Sequence, residues 1–267
     1  MRIAVITVAA GRHEHLRTQR AGLLAGTVQP DRHVIVAMGD RELSTAVPAA
    51  GPQALIRYLP ANRSRLPLSA ARNVGARVAL ADGAELLVFL DVDCIPGEWL
   101  IERYARACAV PHRLASGPVA YLPPPPPGGY RLSELAGSPG HPGRPVPADD
   151  EIVPGGDHTL FWSLSFALTA STWKRIGGFC EQYVGYGGED TDFGQLARRA
   201  GVDHVWVGGA WAYHQYHESH DPPLVHVHDI VRNAQIFERR WGWKPMQGWL
   251  REFEQRGLVV RGRAVGE

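Results

Sequence analysis

The chain has 267 residues, 45% of them hydrophobic and 21% charged, with a formal net charge of +1 at pH 7. Those values fit a soluble protein of one large α/β domain or two small ones, and they give no electrostatic basis for a nucleic-acid partner. Three cysteines (Cys94, Cys108, Cys180) without metal-type spacing exclude a disulfide scaffold and fit a reducing, cytoplasmic setting; no apolar run approaches the ~18 residues of a membrane span.

The sequence opens on Arg2-Ile-Ala-Val-Ile-Thr-Val8, which predicts a buried first strand with no signal-peptide pattern ahead of it. Ala9 to Arg12 turn the chain into a helix around His15 to Leu24. His33 to Met38 reads as a second strand ending in Gly39-Asp40, and Ile56 to Leu59 as a weak third. Leu68 to Leu80 is Ala-rich and helical, with Ala71, Val74, Gly75, Val78 and Ala79 on one face. Leu86 to Leu90 is a continuous apolar run, the mark of a strand buried on both faces. Trp99 to Cys108 predicts a helix and Leu114 to Tyr121 a strand. Five prolines, Pro123 to Pro127, then open a Gly/Pro-rich stretch to Pro147, expected as a mobile surface insertion. Leu160 to Ala170 returns to the sheet, and Ser171 to Ile176 is a short helix. A glycine-punctuated loop, Gly177 to Gly188, leads into a helix opened by Glu189-Asp-Thr-Asp-Phe193. Val205 to Val207 is a last short strand before Tyr213-His-Gln-Tyr-His217 and Asp221-Pro-Pro223. Two amphipathic helices follow, roughly His228 to Trp241 and Met246 to Leu258. Alternating strands and helices imply a mainly parallel, doubly wound sheet.

Asp91 stands where the central strand should emerge, and Asp93 follows two residues later. In an extended chain i and i+2 point the same way, so both carboxylates are expected to face one site at the carboxyl end of the sheet. Paired carboxylates there need a cation or a shared proton, and a hard divalent ion carrying a phosphorylated ligand is the simplest occupant; a surface turn ahead of Pro96 is the plainer reading of the same residues. His214 and His217 also follow a strand end, and five histidines lie between 214 and 228. Imidazole beside carboxylates favours Mn²⁺ over Mg²⁺. Thr7, Arg12 and Asp40 sit at the ends of the first two strands, where nucleotide-binding sheets hold ribose or base. Arg72, near the start of the Ala-rich helix, is placed to meet a phosphate. Glu189, Asp190 and Asp192 form a second acidic cluster, which could cap a helix or, after so mobile a loop, supply a general base to an incoming hydroxyl.

Three segments carry a resemblance: the strand ending in Asp91-Val92-Asp93, the upstream Ser69-x-x-Arg-Asn-x-Gly75, and Gly177-Gly-Phe-x-x-x-Tyr-x-Gly-Tyr-Gly-Gly-Glu-Asp-x-Asp-Phe193. Together they resemble the family 2 glycosyltransferases, and Leu160 to Gly201 is similar to the carboxy-terminal region of β-galactosyltransferases. The resemblance implies a GT-A fold (a Rossmann-like α/β domain whose mainly parallel central sheet is flanked by helices), a nucleotide-diphosphate sugar donor, a divalent cation and inverting transfer. It assigns Asp91, Val92 and Asp93 to the metal and diphosphate site, with His214 as the late metal ligand. Glu189 and Asp190 take the acceptor and base positions, and Tyr186, Gly187, Gly188 and Asp192 the acceptor lid. Tyr186 stands where many relatives carry Trp.

The expected organisation is a single catalytic domain over 1–225, with a nucleotide-sugar half (1–122), the insertion (123–150) and an acceptor half (151–225), followed by a helical extension over 226–267. The expected function is metal-dependent inverting transfer, with a UDP-sugar preferred as donor and Mn²⁺ (or Mg²⁺) as cofactor. The acceptor would be a glycan, a lipid-linked compound or a small molecule. A non-catalytic sugar-nucleotide or glycan-binding module and a nucleotidyltransferase are the alternatives. Arg239, Arg240, Trp241, Trp243 and Trp249 leave room for peripheral membrane or glycan contact, with core packing the plainer use.

Overall fold

The computed structural model describes residues 1–218, 222–260 and 262–265. The first run, β1 (Ile3–Ala9), is buried along its whole length and is followed by α1 (His13–Ala25), β2 (Arg32–Met38), α2 (Leu43–Ala46), β3 (Ala54–Leu59), α3 (Leu68–Ala81) and β4 (Leu86–Leu90). Strands β1 to β4 are mutually parallel in the order β3-β2-β1-β4. Helix α3 packs against β1 so closely that a Cβ on Gly75 would lie 2.4 Å from Ile6 Cγ2, which accounts for the glycine in that helix.

The chain continues through β5 (Cys94–Pro96), α4 (Leu100–Ala107), β6 (Arg113–Ser116), β7 (Val119–Tyr121), β8 (Ile152–Val153), β9 (Ser165–Thr169), α5 (Ala170–Ile176), α6 (Glu189–Arg199), β10 (Asp203–Val207) and β11 (Ala212–His214). Strand β9 enters antiparallel between β4 and β6, and the large sheet runs β3-β2-β1-β4-β9-β6-β10-β8. The single strand expected over 114–121 is two strands. The break falls at Gly117-Pro118, where a Cβ on Gly117 would lie 1.9 Å from the Ala210 carbonyl oxygen and Pro118 has no N–H to donate. Thus β6 stays in the large sheet while β7 joins a small one, β5-β11-β7.

Alternate residues of β4 enter separate cores. Leu86, Val88 and Leu90 pack with Val5, Leu100 and Tyr104 on one face. Leu87 and Phe89 pack with Ile6, Phe166 and Phe193 on the other, where Phe89 stacks on Phe166 at 4.4 Å. Burial on both faces is why this strand reads as an unbroken apolar run.

The Gly/Pro-rich insertion is docked on the small sheet. Leu135 is buried and, with Tyr130 and Leu132, packs on Ile95, Ala120 and Tyr213. Arg144, only 4% exposed, donates to the carbonyls of Gly117 and Trp162, both at 3.0 Å. A handful of apolar contacts and one buried guanidinium hold a segment whose composition reads as loose surface. The chain ends in α7 (Val227–Trp241), α8 (Gln247–Gln255) and the β12 (Val259–Val260)/β13 (Arg263–Ala264) hairpin, which enclose a cluster around Ile230, Val231 and Phe253. The C-terminal turns of α7 place Ile236 and Phe237 against Tyr183. Arg240 and Trp241 are turned inward onto Asp192, and Trp243 sits edge-on to Phe237 at 4.6 Å, so these aromatics pack. No helix among the described residues is long and apolar enough to cross a membrane.

Candidate active site

Strand β4 does not carry its alternation through the Asp91-Val92-Asp93 motif. Cys94 N–H donates to the Asp91 carbonyl at 2.9 Å, closing a four-residue turn, and the two carboxylates have different partners. Asp91 accepts from Arg72 Nη2 at 3.0 Å, and Arg72 Nη1 lies 3.8 Å from Glu189 Oε1. Burial raises the Asp91 carboxyl to about 6 in spite of Arg72. Asp93 pairs with Arg12 and lies 3.6 Å from His214 Nε2 and 3.5 Å from His217 Nε2. Burial would raise the Asp93 carboxyl, but the hydrogen bond from His217 and the charges of His214 and Arg12 outweigh it and hold it at about 2. Val92 points into apolar packing with Ala9, Leu16 and Ile35.

Asp93, His214 and His217 can each offer one ligand atom, all within 4.8 Å of one another; Asp91 is outside this group. His220, another of the clustered histidines, and Asp221 lie outside the described residues. Backbone pairing fixes the spacing, because β11 sets His214 opposite Cys94 of β5 and Tyr121 of β7. Gln215 N–H donates to the Asp93 carbonyl at 2.7 Å, and Gln19 Nε2 to that of Asp91 at 2.7 Å. Burial lowers the His214 pKa and favours its neutral, ligating form. One anionic carboxylate with two imidazoles is a donor set that fits Mn²⁺.

Thr7 is fully buried beneath this turn, with its hydroxyl among the Leu90 carbonyl, Gln19 Oε1 and His33 Nε2 at 2.9 to 3.0 Å, so it buttresses β4 and does not reach the cleft. Asp40 is also buried. It accepts from Gly11 N–H at 2.7 Å and pairs with His13 at 2.9 Å, while its Oδ1 is 3.2 Å from Arg63.

The second acidic cluster divides three ways at the start of α6, whose N-cap is Gly188, and none of the three acids caps the helix through its side chain. Asp190 accepts from Ser163 N–H at 3.0 Å and from Ser163 Oγ at 2.6 Å. Glu189 is buried, and burial, then the neighbouring Asp190 charge, raises its carboxyl to about 8. Its Oε2 and the Nη1 of Arg72 are buried without a hydrogen-bond partner. Native proteins rarely leave such groups bare, so a ligand that supplies polar atoms fits here. Asp192 faces away, fully buried beneath Tyr183 Oη (3.1 Å), Arg240 Nε (2.7 Å) and Trp241 Nε1 (2.6 Å), and anchors α6 to α7.

The loop before α6 is held by α7. Asn233 Nδ2 lies 2.8 Å from the Gly187 carbonyl, 3.1 Å from that of Tyr186 and 3.3 Å from that of Val184. A Cβ on Gly187 would lie 2.7 Å from Met246 Sδ, and the Tyr186 ring, 40% exposed, stacks on His226 at 4.9 Å. Ser163 and Asn233 escape a reading of the sequence because they meet the motif only through tertiary packing; no local pattern marks either one.

Residues 157–220 match the family model described as the N-terminal domain of galactosyltransferase. The chain carries a glycosyltransferase-like domain of the GT-A fold. Validoxylamine A glucosyltransferase of Streptomyces hygroscopicus subsp. jinggangensis is 31% identical over 81 residues, which cover 30% of this chain and 18% of that one. The matched segment therefore spans less than a fifth of that relative. Among solved structures, S. aureus TarS 1-349 superposes on the GT-A domain with a TM-score of 0.57 at 16% identity, covering 89% of this chain and 64% of that one. GalNAc-T7 with UDP, GalNAc and Mn²⁺ gives a TM-score of 0.58 at 12% identity, covering 96% and 57%.

Proposed function

We propose that this GT-A domain is a family 2-like, metal-dependent inverting glycosyltransferase that moves a hexose from a UDP-sugar to an acceptor hydroxyl. One observation carries the reading: the Asp93, His214 and His217 donor set and the Glu189–Asp190 pair are joined through Asp91 and Arg72 at the carboxyl end of β4. The solved relative holding UDP, GalNAc and Mn²⁺ and the relative named as a glucosyltransferase support the choice of donor and ion.

Asp93, His214 and His217 would hold Mn²⁺ (or Mg²⁺), which when bound supplies positive charge to a departing diphosphate. Arg12 and Arg72 add fixed cationic charge on the donor side. Asp190, oriented by Ser163, accepts the proton of the acceptor hydroxyl as it attacks the anomeric carbon from the face opposite the diphosphate, and configuration inverts. Glu189, protonated near neutral pH, donates a hydrogen bond to a second acceptor oxygen. The acceptor is a glycan, a lipid-linked compound or a small molecule. The three unpaired cysteines support a cytoplasmic setting.

A thermal-shift panel of UDP-, GDP- and dTDP-sugars with and without Mn²⁺ tests this. A ligand at ~100 times its dissociation constant stabilises by about 2.7 kcal/mol, and the largest metal-dependent shift is expected with a UDP-sugar. Absence of any metal-dependent shift across the panel would overturn the reading. The anomeric configuration of the product, read by NMR, tests inversion.

A further inference from the structure

A file of rings runs from the metal-ligand group to the base. Tyr121 stacks on His214 with ring centres 4.4 Å apart, His141 lies 5.0 Å from Tyr121, and Trp162 lies 5.2 Å from His141. Trp162 immediately precedes Ser163, whose N–H and hydroxyl hold Asp190. The file thus begins at a metal ligand and ends beside the residue that orients the base. Tyr121 is 49% exposed and His141 and Trp162 are half-buried, so these rings are not closed over by the core.

The insertion builds this wall. His141 N–H donates to the Val119 carbonyl at 2.7 Å, and Gly143 N–H donates to His141 Nδ1 at 3.0 Å. Because Nδ1 accepts, the neutral ring carries its proton on Nε2, which remains a donor. The buried Arg144 guanidinium lies 4.9 Å from the Trp162 ring centre and donates to the Trp162 carbonyl, so one side chain fixes both the insertion and the tryptophan.

We infer that Tyr121, His141 and Trp162 form a pyranose-binding platform contributed in part by the Gly/Pro-rich insertion. The inference deepens the glycosyltransferase reading and rests on it. The ring surface left open beside the His214 and Arg144 contacts covers the C–H face of a sugar, while the Tyr121 hydroxyl and His141 Nε2–H meet hydroxyls at its edge. A wall between the metal ligands and the base adjoins either the transferred hexose or the first ring of the acceptor.

Saturation-transfer NMR in Mg²⁺ separates these cases, with methyl β-D-glucopyranoside and UDP-glucose as separate probes. The wild type should saturate pyranose ring protons. Trp162→Ala should weaken that signal by roughly fivefold, the worth of one aromatic contact, Trp162→Phe should restore most of it, and His141→Ala should weaken it while the melting temperature falls by no more than a few degrees. Loss with the glucoside assigns the platform to the acceptor; loss on the glucose protons of UDP-glucose assigns it to the transferred sugar. Pyranose saturation unchanged in Trp162→Ala and His141→Ala, or absent from the wild type with both probes, overturns the platform. The uracil protons of UDP-glucose report the nucleotide site independently, so their failure to saturate counts against the glycosyltransferase reading and not against the wall.

Discussion

The side-chain amide of Asn233 donates to the carbonyl oxygen of Gly187 at 2.8 Å, across 46 residues of sequence. With the Tyr186 and Val184 carbonyls also in reach, two amide hydrogens serve three acceptors in the loop that delivers Glu189 and Asp190. Asn233→Ala would remove the side-chain amide donor from the half-buried Gly187 carbonyl and from that of Tyr186, while Arg232 still donates to that of Val184, a loss of about 1–2 kcal/mol. The melting temperature should fall by several degrees, and hydrogen exchange should rise over 184–188 while β1 and β4 keep their protection. Unchanged exchange in the loop would show that Asn233 does not tether it.

Removing the anionic member of the proposed metal site should disable it without unfolding the chain, because Asp93 lies in a turn. Asp93→Asn is expected to abolish metal-dependent nucleotide binding and lower transfer by more than about 10²-fold, beyond the loss usual for a supporting residue. Full activity of the wild type in excess chelator would contradict this.

The Ser163–Asp190 pair separates chemistry from binding. Asp190→Asn should lower kcat by on the order of 10² to 10⁴ with donor affinity nearly unchanged. Ser163→Ala removes one of the two hydrogen bonds orienting the carboxylate, and a smaller drop in kcat is expected, about tenfold. Glu189→Gln should mainly raise the acceptor KM. If Glu189→Gln lost turnover and Asp190→Asn kept it, the two roles would be exchanged.

Glu189 makes stability depend on pH in the unliganded protein. Its folded pKa, about 8, lies above the ordinary value of 4.5, so the folded chain retains a proton that the unfolded chain has lost. The contribution is complete below about 4.5, declines as pH rises through the interval and is gone above about 8, with a slope of at most about 1.4 kcal/mol per pH unit. Glu189→Gln should flatten that part of the curve in denaturant titrations from pH 5 to 8.5. An unchanged slope would place the proton elsewhere.

The sheet was legible because hydrophobic runs and helical periodicity are local, and the core of β1, β2, α3 and β4 follows from them. The Asp91-Val92-Asp93 and Glu189-Asp190 segments were legible as patterns, but their geometry was not. Extrapolating the strand put both aspartates on one face, whereas the Cys94–Asp91 turn gives Asp91 to Arg72 and Asp93 to the histidines. Asp192 and Thr7 look available in sequence and are buried, one under Arg240 and Trp241, the other against Gln19 and His33. Tyr121, His141 and Trp162 draw no notice in the sequence, because they come together only when an insertion without strong periodicity folds back onto β7.

Strand β11 is hydrogen-bonded on both edges, and His214, a proposed metal ligand, is its last residue, level with Cys94 on one side and Tyr121 on the other. A one-residue insertion or deletion between β10 and β11 would slide His214 by about 3.3 Å and turn its side chain to the opposite face. The three-residue spacing to His217 could not compensate, since it moves with the strand. Length changes over 124–128, exposed and ahead of the docked Tyr130 and Leu132, carry no such penalty. Among chains built on this plan, indels should therefore gather in the polyproline stretch and be all but absent from 208–214.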